Sequence, residues 1–519
     1  MKIKIFIIPV VLTMIIFAGC DSGRKADYTV PGEVSYPINT DETLTYWNSV
    51  TDSVYKEIKD FSETPFAREY KKKTGINIKY YSVSGEQEKE MLNILFASGD
   101  LPDIIETDWL SRDPDACIED GTILRLNDYI DKYSPNLKAY LDANSDVNKQ
   151  IKTDTGSYYV YPFIREDELL QSTEGIILRA DWLREFGLSV PETLDEWDMV
   201  LASFKTKCEF PISMISEKLQ HFAGVYGIRS GLYIDDGTVH YGAVKSEYRQ
   251  FLEKMHSWYE KGYIDRNMSI MDAIHVRKNI LESKSGVFFA AGGRNMGLFL
   301  DLMEDINPEF DLCAAPFPVM NKGDYPKFGN QQWCYSPISC AAITGDCDNP
   351  VLAARILDFS YSEEGRLLNN FGIEGVSYNL VDGEPIYTDI ITDNPEGLYM
   401  SEVMPYYIRA AGDGPFIQDS RYITQYYRDY RQKEALRVWG ANDDIKHSMP
   451  QLTLTSDEAE EYNRIMYEIS AFHSEMFVKF VIGTESIENF DEYVAGIEAM
   501  NLKKALEIQQ RAYERFLKR

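Results

Sequence analysis

The hydrophobic and polar residues of the N-terminal third of the chain alternate with two different periods. Short apolar runs typical of strands are separated by stretches in which apolar residues recur every three or four positions, as on one face of a helix. Strands that alternate with helices predict an α/β domain with a mainly parallel sheet. The predicted elements are a strand at 44–47, a helix at 65–74 that ends at Gly75, a strand at 76–83, a helix at 86–98 and a strand at 101–106.

Helix and turn signals continue along the rest of the chain. Thr193 and Glu196 have the spacing of a capping box, which predicts a helix over 194–205. Asp235-Asp236-Gly237 has the composition of a hairpin turn. From about residue 457 to residue 519, helix-forming residues with apolar side chains three or four apart predict two or three packed helices.

The N-terminus has the layout of a secretory signal peptide. Lys2 and Lys4 precede an apolar run over residues 5–17, and Ala18-Gly19-Cys20 follows. We interpret residues 1–19 as the signal peptide and Cys20 as the site of lipidation, resembling a bacterial lipobox. An ordinary signal peptide or an uncleaved membrane anchor remain alternatives. Residues 20–40 are polar and contain Gly and Pro, so we expect a flexible lipidated tether there, with folded structure beginning near Leu44.

Length and charge narrow the class of protein further. A chain of 519 residues is too long for one compact core, so two or more domains are expected. Lys and Arg number 53 against 83 Asp and Glu, a formal net charge of −30. Such an acidic surface repels nucleic acid, so no nucleic-acid partner is expected. The protein is expected to be exported and held at the outer face of the cell membrane.

The cysteines and acidic loops give little sign of a metal or a cofactor. Besides Cys20 there are six cysteines, an even number that permits disulfides in an exported protein, but they are so sparse that we expect free thiols for most of them. None forms a Cys-x-x-Cys pair, which argues against a zinc site. No complete Asp-x-Asp-x-Asp-Gly loop occurs in the sequence. We therefore expect no cofactor, although a structural calcium ion remains possible without support from a motif.

The sequence also lacks the motifs of several enzyme classes. It contains no Gly-x-x-x-x-Gly-Lys-Ser/Thr loop, no His-Glu-x-x-His and no Gly-x-Ser-x-Gly, so the chain is not the ATPase of a transporter. Carboxylates are so numerous that spacing selects no pair as a glycosidase acid and base. We expect a protein that is not an enzyme, and a secreted glycan-processing enzyme is the alternative.

Several collinear segments resemble the large carbohydrate-binding lipoproteins of bacterial ATP-driven (ABC) importers, within family 1 of the extracellular solute-binding proteins. Each segment alone is weak, but together they extend over nearly the whole chain after residue 20. The segments are Ala97-Ser-Gly-Asp-Leu-Pro-Asp-Ile-Ile105, Leu178-Arg-Ala-Asp-Trp-Leu-Arg-Glu-Phe-Gly187, Val190-Pro-Glu-Thr-Leu-Asp-Glu-Trp197, Trp258-Tyr-Glu-Lys-Gly-Tyr-Ile-Asp265, Tyr361-Ser-Glu-Glu-Gly-Arg366, Gly372-Ile-Glu-Gly-Val-Ser-Tyr378 and Asn489-Phe-Asp-Glu-Tyr-Val494.

The resemblance implies a type II periplasmic-binding-protein-like fold, with two α/β lobes joined by a hinge of about three chain crossings and a helical C-terminal region. Lobe 1 would comprise 41–161 plus 342–400, and lobe 2 would comprise 162–341 plus 401–519. The crossings would lie near residues 161–162, 339–340 and 404–405. The implied partners are a carbohydrate ligand, an oligosaccharide or a sugar acid, and permease subunits with a separate ATPase. We expect a monomer attached to the membrane by its lipid anchor.

A sugar-binding cleft needs aromatic rings against C–H faces and planar polar side chains that hydrogen-bond hydroxyl groups. We expect these side chains to come from loops that follow the predicted strands and from segments near the crossings. Trp182, Trp197 and Trp258 lie on predicted helices and are assigned to the core. The same fold with a peptide or a sensory ligand is a further alternative. The candidate ligand-binding residues are Trp47, Asn48, Asp108, Trp109, Glu166, Asp167, Arg294, Gln331, Gln332, Trp333 and Trp439.

Overall fold

A computed structural model describes residues 27–50, 54–55, 58 and 60–519. Strands and helices are numbered in chain order. The first part of the chain contains β1 (Thr43–Val50), α1 (Pro65–Thr74), β2 (Asn77–Ser84), α2 (Glu88–Ser98), β3 (Ile104–Thr107), α3 (Pro114–Glu119), α4 (Asn127–Tyr133), α5 (Pro135–Ala143), α6 (Ser145–Gln150) and β4 (Tyr161–Arg165). The second part contains β5 (Glu174–Arg179), α7 (Ala180–Phe186), α8 (Leu194–Lys205), α9 (Ser216–Leu219), β6 (Leu232–Asp235), β7 (Thr238–Tyr241), α10 (Ser246–Glu260), α11 (Ala273–Leu281), β8 (Val287–Ala291), α12 (Leu298–Met303) and β9 (Leu312–Ala314).

The remaining elements return to the first part and then to the second. The third part contains β10 (Tyr335–Ile343), α13 (Pro350–Phe359), α14 (Glu363–Phe371), β11 (Tyr378–Val381), β12 (Glu384–Tyr387), α15 (Asp389–Thr392), α16 (Met400–Tyr407), β13 (Ile417–Gln418) and α17 (Ser420–Tyr426). The last part contains α18 (Tyr430–Gly440), α19 (Asp444–His447), α20 (Ser456–Ile482), α21 (Phe490–Ala499) and α22 (Leu502–Leu517).

Two sheets organise two lobes. In the first lobe, the described strands form a six-stranded sheet with the order β13-β4-β10-β3-β1-β2. β1 pairs in parallel with β2 and β3, whereas β10 runs antiparallel between β3 and β4. In the second lobe, β5 lies between β8 and β9 and is antiparallel to both. The shared direction of β1, β2, β3 and β4 brings their C-terminal ends to one edge of the first lobe.

Each lobe has its own hydrophobic core. Trp182, Trp197 and Trp258 are fully buried in the core of the second lobe, as predicted. The chain passes between the two cores three times, which agrees with the predicted hinge of about three crossings. These passages lie between Leu170 and Ile176, between Phe328 and Tyr335, and between Tyr427 and Ala435.

The crossings do not coincide with the predicted positions, and the difference is largest at the third one, which was placed near residues 404–405. Side chains of α16, β13 and α17 pack in the first core. β13 pairs in parallel with β4, so this segment is part of the six-stranded sheet. A strand of two residues leaves no periodic pattern in the sequence, and the predicted boundary therefore fell too early.

Several local predictions are confirmed. α1 ends at Gly75, which adopts a left-handed conformation with a φ of 77°. Thr193 and Glu196 form both hydrogen bonds of a capping box at the start of α8. Asp236 and Gly237, each with a positive φ, join β6 to β7 in a hairpin. The C-terminal region folds into α20, α21 and α22, as its apolar spacing predicts.

The N-terminal segment 27–40 packs on the first lobe rather than extending away from it. Arg355 is completely buried in α13, and its guanidinium donates hydrogen bonds to four backbone carbonyls. Those carbonyls belong to Tyr28, Val30, Gly32 and Tyr133. The prediction of a flexible tether is therefore wrong for residues 27–40. The predicted signal peptide, Cys20 and the rest of the tether lie outside the described residues.

The described residues include no helix long and apolar enough to cross a membrane. Their six cysteines are unpaired thiols, as predicted; Cys340 and Cys347 are buried and the other four are partly buried.

Arg355→Met is expected to lower the free energy of unfolding by about 2–4 kcal/mol, because four carbonyls lose a buried donor. It should also speed amide hydrogen exchange over residues 27–38. Arg437→Met is the matched control, because Arg437 is exposed and pairs with Glu434 on the same helix. Unchanged exchange in the Arg355 variant would show that other contacts hold the segment.

His473 links α20 to its neighbours in the second core. Its Nδ1 lies 2.8 Å from the hydroxyl of Tyr493, and its Nε2 lies 3.1 Å from the side-chain oxygen of Gln220. Burial lowers the pKa of the imidazole to about 4.

Because an unfolded histidine has a pKa of about 6.5, the unfolded state takes up a proton below that pH while folded His473 stays neutral. Stability is therefore lost as the pH falls from about 6.5 to about 4, by up to about 3 kcal/mol from this residue. His473→Gln should remove that part of the pH dependence in urea titrations. The exposed control His275→Gln should not, and identical profiles for both variants would contradict the assignment.

Candidate functional site

A cavity of about 590 Å³ lies between the two lobes. The first lobe lines it at the C-terminal ends of its strands, with Ser49 of β1, Glu106 of β3 and Arg165 of β4. The second lobe lines it with Glu174 of β5 and with the turn that follows β8. A ligand that fills this cavity contacts both lobes at once.

The first-lobe side of the cavity contains a chain of paired charges. Glu106 is almost fully buried; it accepts hydrogen bonds from Arg409 at 2.5 Å and from the hydroxyl of Tyr46 at 2.7 Å. Burial raises the pKa of the Glu106 carboxyl, whereas the Arg409 guanidinium and Tyr46 oppose that shift. Arg165 lies 3.4 Å from the carboxylate of Asp413. These pairs fix polar groups in place before any ligand arrives.

Tyrosines of α17 and the residue after it form an aromatic wall of the cavity. The rings of Tyr422 and Tyr426 stack with their centroids 6.0 Å apart. Gly293, in the turn after β8, packs on Tyr426 so closely that an added Cβ would lie 2.4 Å from a ring atom. The neighbouring Gly292 contacts the ring of Tyr427 in the same way, with a Cβ at 2.7 Å. The aromatic wall is therefore held against the second lobe by two glycines.

Two of the predicted binding residues line this cavity. Arg294 follows the two glycines, and its side chain is exposed. Gln332 lies in the second crossing, where its backbone N–H donates to the carbonyl of Gln171 at 2.9 Å. The structure thus brings a cation and an amide together from widely separated parts of the sequence.

Three predicted tryptophans are in cores instead of the cleft, so their prediction as binding residues is wrong. Trp47 points into the first core from β1. Trp109 is fully buried, and its indole N–H donates to the carbonyl of Ile105 at 3.0 Å. Trp439 is fully buried against Gly175. Trp109 follows β3, Trp47 lies inside β1 and Trp439 lies in α18, and the side-chain direction at these positions is set by packing that the sequence pattern does not show.

The other predicted residues lie near the cleft without lining the cavity. Their side chains or backbones make structural contacts instead. Asn48 accepts a hydrogen bond from Ser82, Asp108 accepts one from the backbone of Ser111, Glu166 pairs with Arg366, Asp167 caps a short 3-10 helix, the backbone of Gln331 donates to Asp444, and the indole of Trp333 donates to the carbonyl of Met449.

The sequence reasoning missed the residues that dominate the cavity. Glu106 could have been detected in the sequence, because it is a carboxylate that follows the apolar residues Ile104 and Ile105 in a predicted strand. The pair Tyr426-Tyr427 was also visible in a tyrosine-rich stretch, 420–430. Arg165, Arg409 and Asp413 gave no such signal, since only the fold brings them together.

No group of three or more His, Cys, Asp or Glu side chains within the described residues is arranged to hold a metal ion. The structural calcium ion considered from the sequence stays an untested possibility.

Comparison with solved structures defines the class of fold. The alginate-binding protein AlgQ2, solved without calcium ion, superposes with a TM-score of 0.76 at 24% identity, over 92% of this chain and 100% of that protein. The fold is the type II periplasmic-binding-protein-like fold, as predicted.

Sequence comparison then identifies the family. A model of the bacterial extracellular solute-binding proteins matches residues 47–366, more than half of the chain, and the chain belongs to that family. The fructooligosaccharide ABC transporter substrate-binding protein FusA of Streptococcus pneumoniae is 24% identical over 567 residues, which cover 99% of both chains. The lipoprotein LipO of Bacillus subtilis is 26% identical over 66% of this chain and 68% of its own.

Glu106→Gln is expected to lower the free energy of unfolding by about 3 kcal/mol, because it leaves the largely buried Arg409 guanidinium without its counter-charge. Arg409→Met should have a similar cost. The double variant should be more stable than the sum of the two losses predicts, as measured by urea denaturation. Strictly additive losses would show that the two side chains do not act as a pair.

Proposed function

We propose that this protein is the extracytoplasmic substrate-binding component of an ABC importer and that it captures a carbohydrate in the cavity between its lobes. The single observation that carries the proposal is the cavity lined by both lobes, in a chain that belongs to the solute-binding family.

The chemistry of the cavity suits a sugar. Tyr426 offers an aromatic ring, and the amide side chain of Gln332 offers both a donor and an acceptor. Two named relatives support the same class of ligand: FusA is named for fructooligosaccharide, and AlgQ2 is named as alginate-binding.

The mechanism is closure of the lobes on the ligand. Each lobe holds half of the binding groups, so a ligand gains its full set of contacts only when the lobes are together. The ligand therefore shifts the population toward the closed form, and the permease recognises that form. Binding needs no covalent step, and the proposed role is that of a binding protein rather than an enzyme.

The cellular setting follows from the N-terminus. Cys20 is the proposed lipid attachment site, and the protein would act as a monomer at the outer face of the cell membrane. The lipoprotein LipO among the relatives supports this placement. One or two acyl chains at Cys20 would decide how firmly the protein is held.

The test is a thermal-shift screen of the chain from Asp21 onward with neutral oligosaccharides, uronate oligosaccharides and peptides. A ligand that binds only the folded state stabilises it by about 2.7 kcal/mol at 100 times its Kd. We expect a saturable rise in Tm with one class of carbohydrate.

Tyr426→Ala should weaken that ligand by about 10-fold, because an aromatic face is lost. Tyr430→Ala is the matched control, since Tyr430 is 74% exposed and does not line the cavity. A response to peptides with none to carbohydrates would overturn the proposed ligand class, and cleavage of any glycan would overturn the role as a binding protein.

A further inference from the structure

Of the four carboxylates that line the cavity, three are matched by cations, whereas Glu86 is exposed on the first lobe and makes no ion pair within the described residues. Glu106 pairs with Arg409, Asp413 pairs with Arg165, and Glu174 lies 3.3 Å from the ammonium of Lys218. Pairs of this kind neutralise each other at contact distance, so they present little net charge to a ligand.

Arg294 is a cation of the cavity that has no such partner. Its guanidinium lines the same cavity, and within the described part of the chain it makes no hydrogen bond, ion pair or ring contact. It lies near the hydroxyl groups of Tyr422, Tyr426 and Tyr427, where its charge opposes the rise in their pKa values that burial causes. A phenol at neutral pH is uncharged, so these neighbours leave the positive charge without compensation.

The backbone that presents Arg294 is fixed on both sides. Gly292 and Gly293 lie in direct contact with the rings of Tyr427 and Tyr426. Gln432 donates a hydrogen bond from its side-chain amide to the carbonyl of Gly292 at 2.8 Å. Asn295 accepts one from the backbone of Ala291 at 3.3 Å. Because the backbone is already fixed, only the side-chain torsions of Arg294 have to be ordered when it binds an anion.

We infer that the cavity is built for a carbohydrate that bears a carboxylate and that Arg294 is the residue that selects it. The inference rests on the proposed function and narrows its ligand to the uronate class. The planar fork of a guanidinium matches the two oxygens of a carboxylate, whereas a hydroxyl group uses only part of it. The strongly negative net charge of the chain does not oppose this contact, because salt screens distant charges while the cavity holds the cation next to the ligand.

Arg294 also belongs to the second lobe, whereas the aromatic wall around it belongs to the first. A uronate ring against Tyr426 would place its carboxylate between the lobes. A ligand held in this way contacts both lobes, so the charge contact contributes both to selection of the ligand and to the link between the lobes.

The experiment measures affinity by isothermal titration with matched probes: oligogalacturonates and alginate oligosaccharides, and the carboxyl-reduced neutral form of each. Each pair has the same linkage and length and differs only in the charged group. We expect a uronate to bind at least about 10-fold more tightly than its reduced form, and Arg294→Met to remove that preference by weakening the uronate about 10- to 100-fold. The reduced form should change by less than about 3-fold.

Arg294→Lys should recover part of the uronate affinity, because the charge remains while the fork is lost. Arg437→Met, an exposed arginine outside the cavity, should behave as the wild type. The uronate affinity should also fall as ionic strength rises. Thermal melts of the free variants check that each is folded.

The inference would be overturned if the reduced, neutral sugars bound as tightly as the uronates or more tightly, and if Arg294→Met left that binding unchanged. The proposed function would then still stand. Binding of no carbohydrate by a folded protein would overturn both. A uronate preference that survives Arg294→Met would overturn the assignment of selection to this residue.

Discussion

The contact between the glycine turn after β8 and the tyrosines at the end of α17 determines the geometry of the whole site. Gly292 and Gly293 allow the backbone of the second lobe to lie against Tyr427 and Tyr426, which pack with the first lobe. A side chain at either glycine would meet an aromatic ring at less than 3.0 Å. The cavity, its aromatic wall and the position of Arg294 all follow from this close approach, because it sets how the two lobes meet.

Ion pairs on the first-lobe side of the cavity add to the effect of that contact. Glu106, Arg165 and the loop that carries both Arg409 and Asp413 are three separate segments, and their ion pairs hold two strand ends and this loop of the first lobe in register. Buried ion pairs add little net stability, since desolvation offsets their attraction. Their value here is positional: they fix one side of the cavity and pair its buried charges, and Arg294 is the lining cation that has no such partner within the described residues.

The sequence predicted the parts of this structure that depend on neighbours along the chain. Gly75, the Thr193–Glu196 capping box and the spacing in the C-terminal helices each encode a helix end or face locally, and the structure confirms them. Side-chain direction was harder to predict: Trp109 directly follows the strand β3, as a cleft residue would, but its indole is fully buried in the first core. Arg355 shows that local patterns also do not predict distant contacts. It holds residues 27–32 through hydrogen bonds between residues more than 300 positions apart in the chain.

Small-angle X-ray scattering of the chain from Asp21 onward, with and without a saturating carbohydrate, tests the central claim most directly. If the ligand binds between lobes that close on it, the radius of gyration falls on binding, and a variant that cannot bind keeps the value of the free protein. A carbohydrate that binds tightly while the scattering curve stays unchanged would contradict the account of an interlobe site that works by closure.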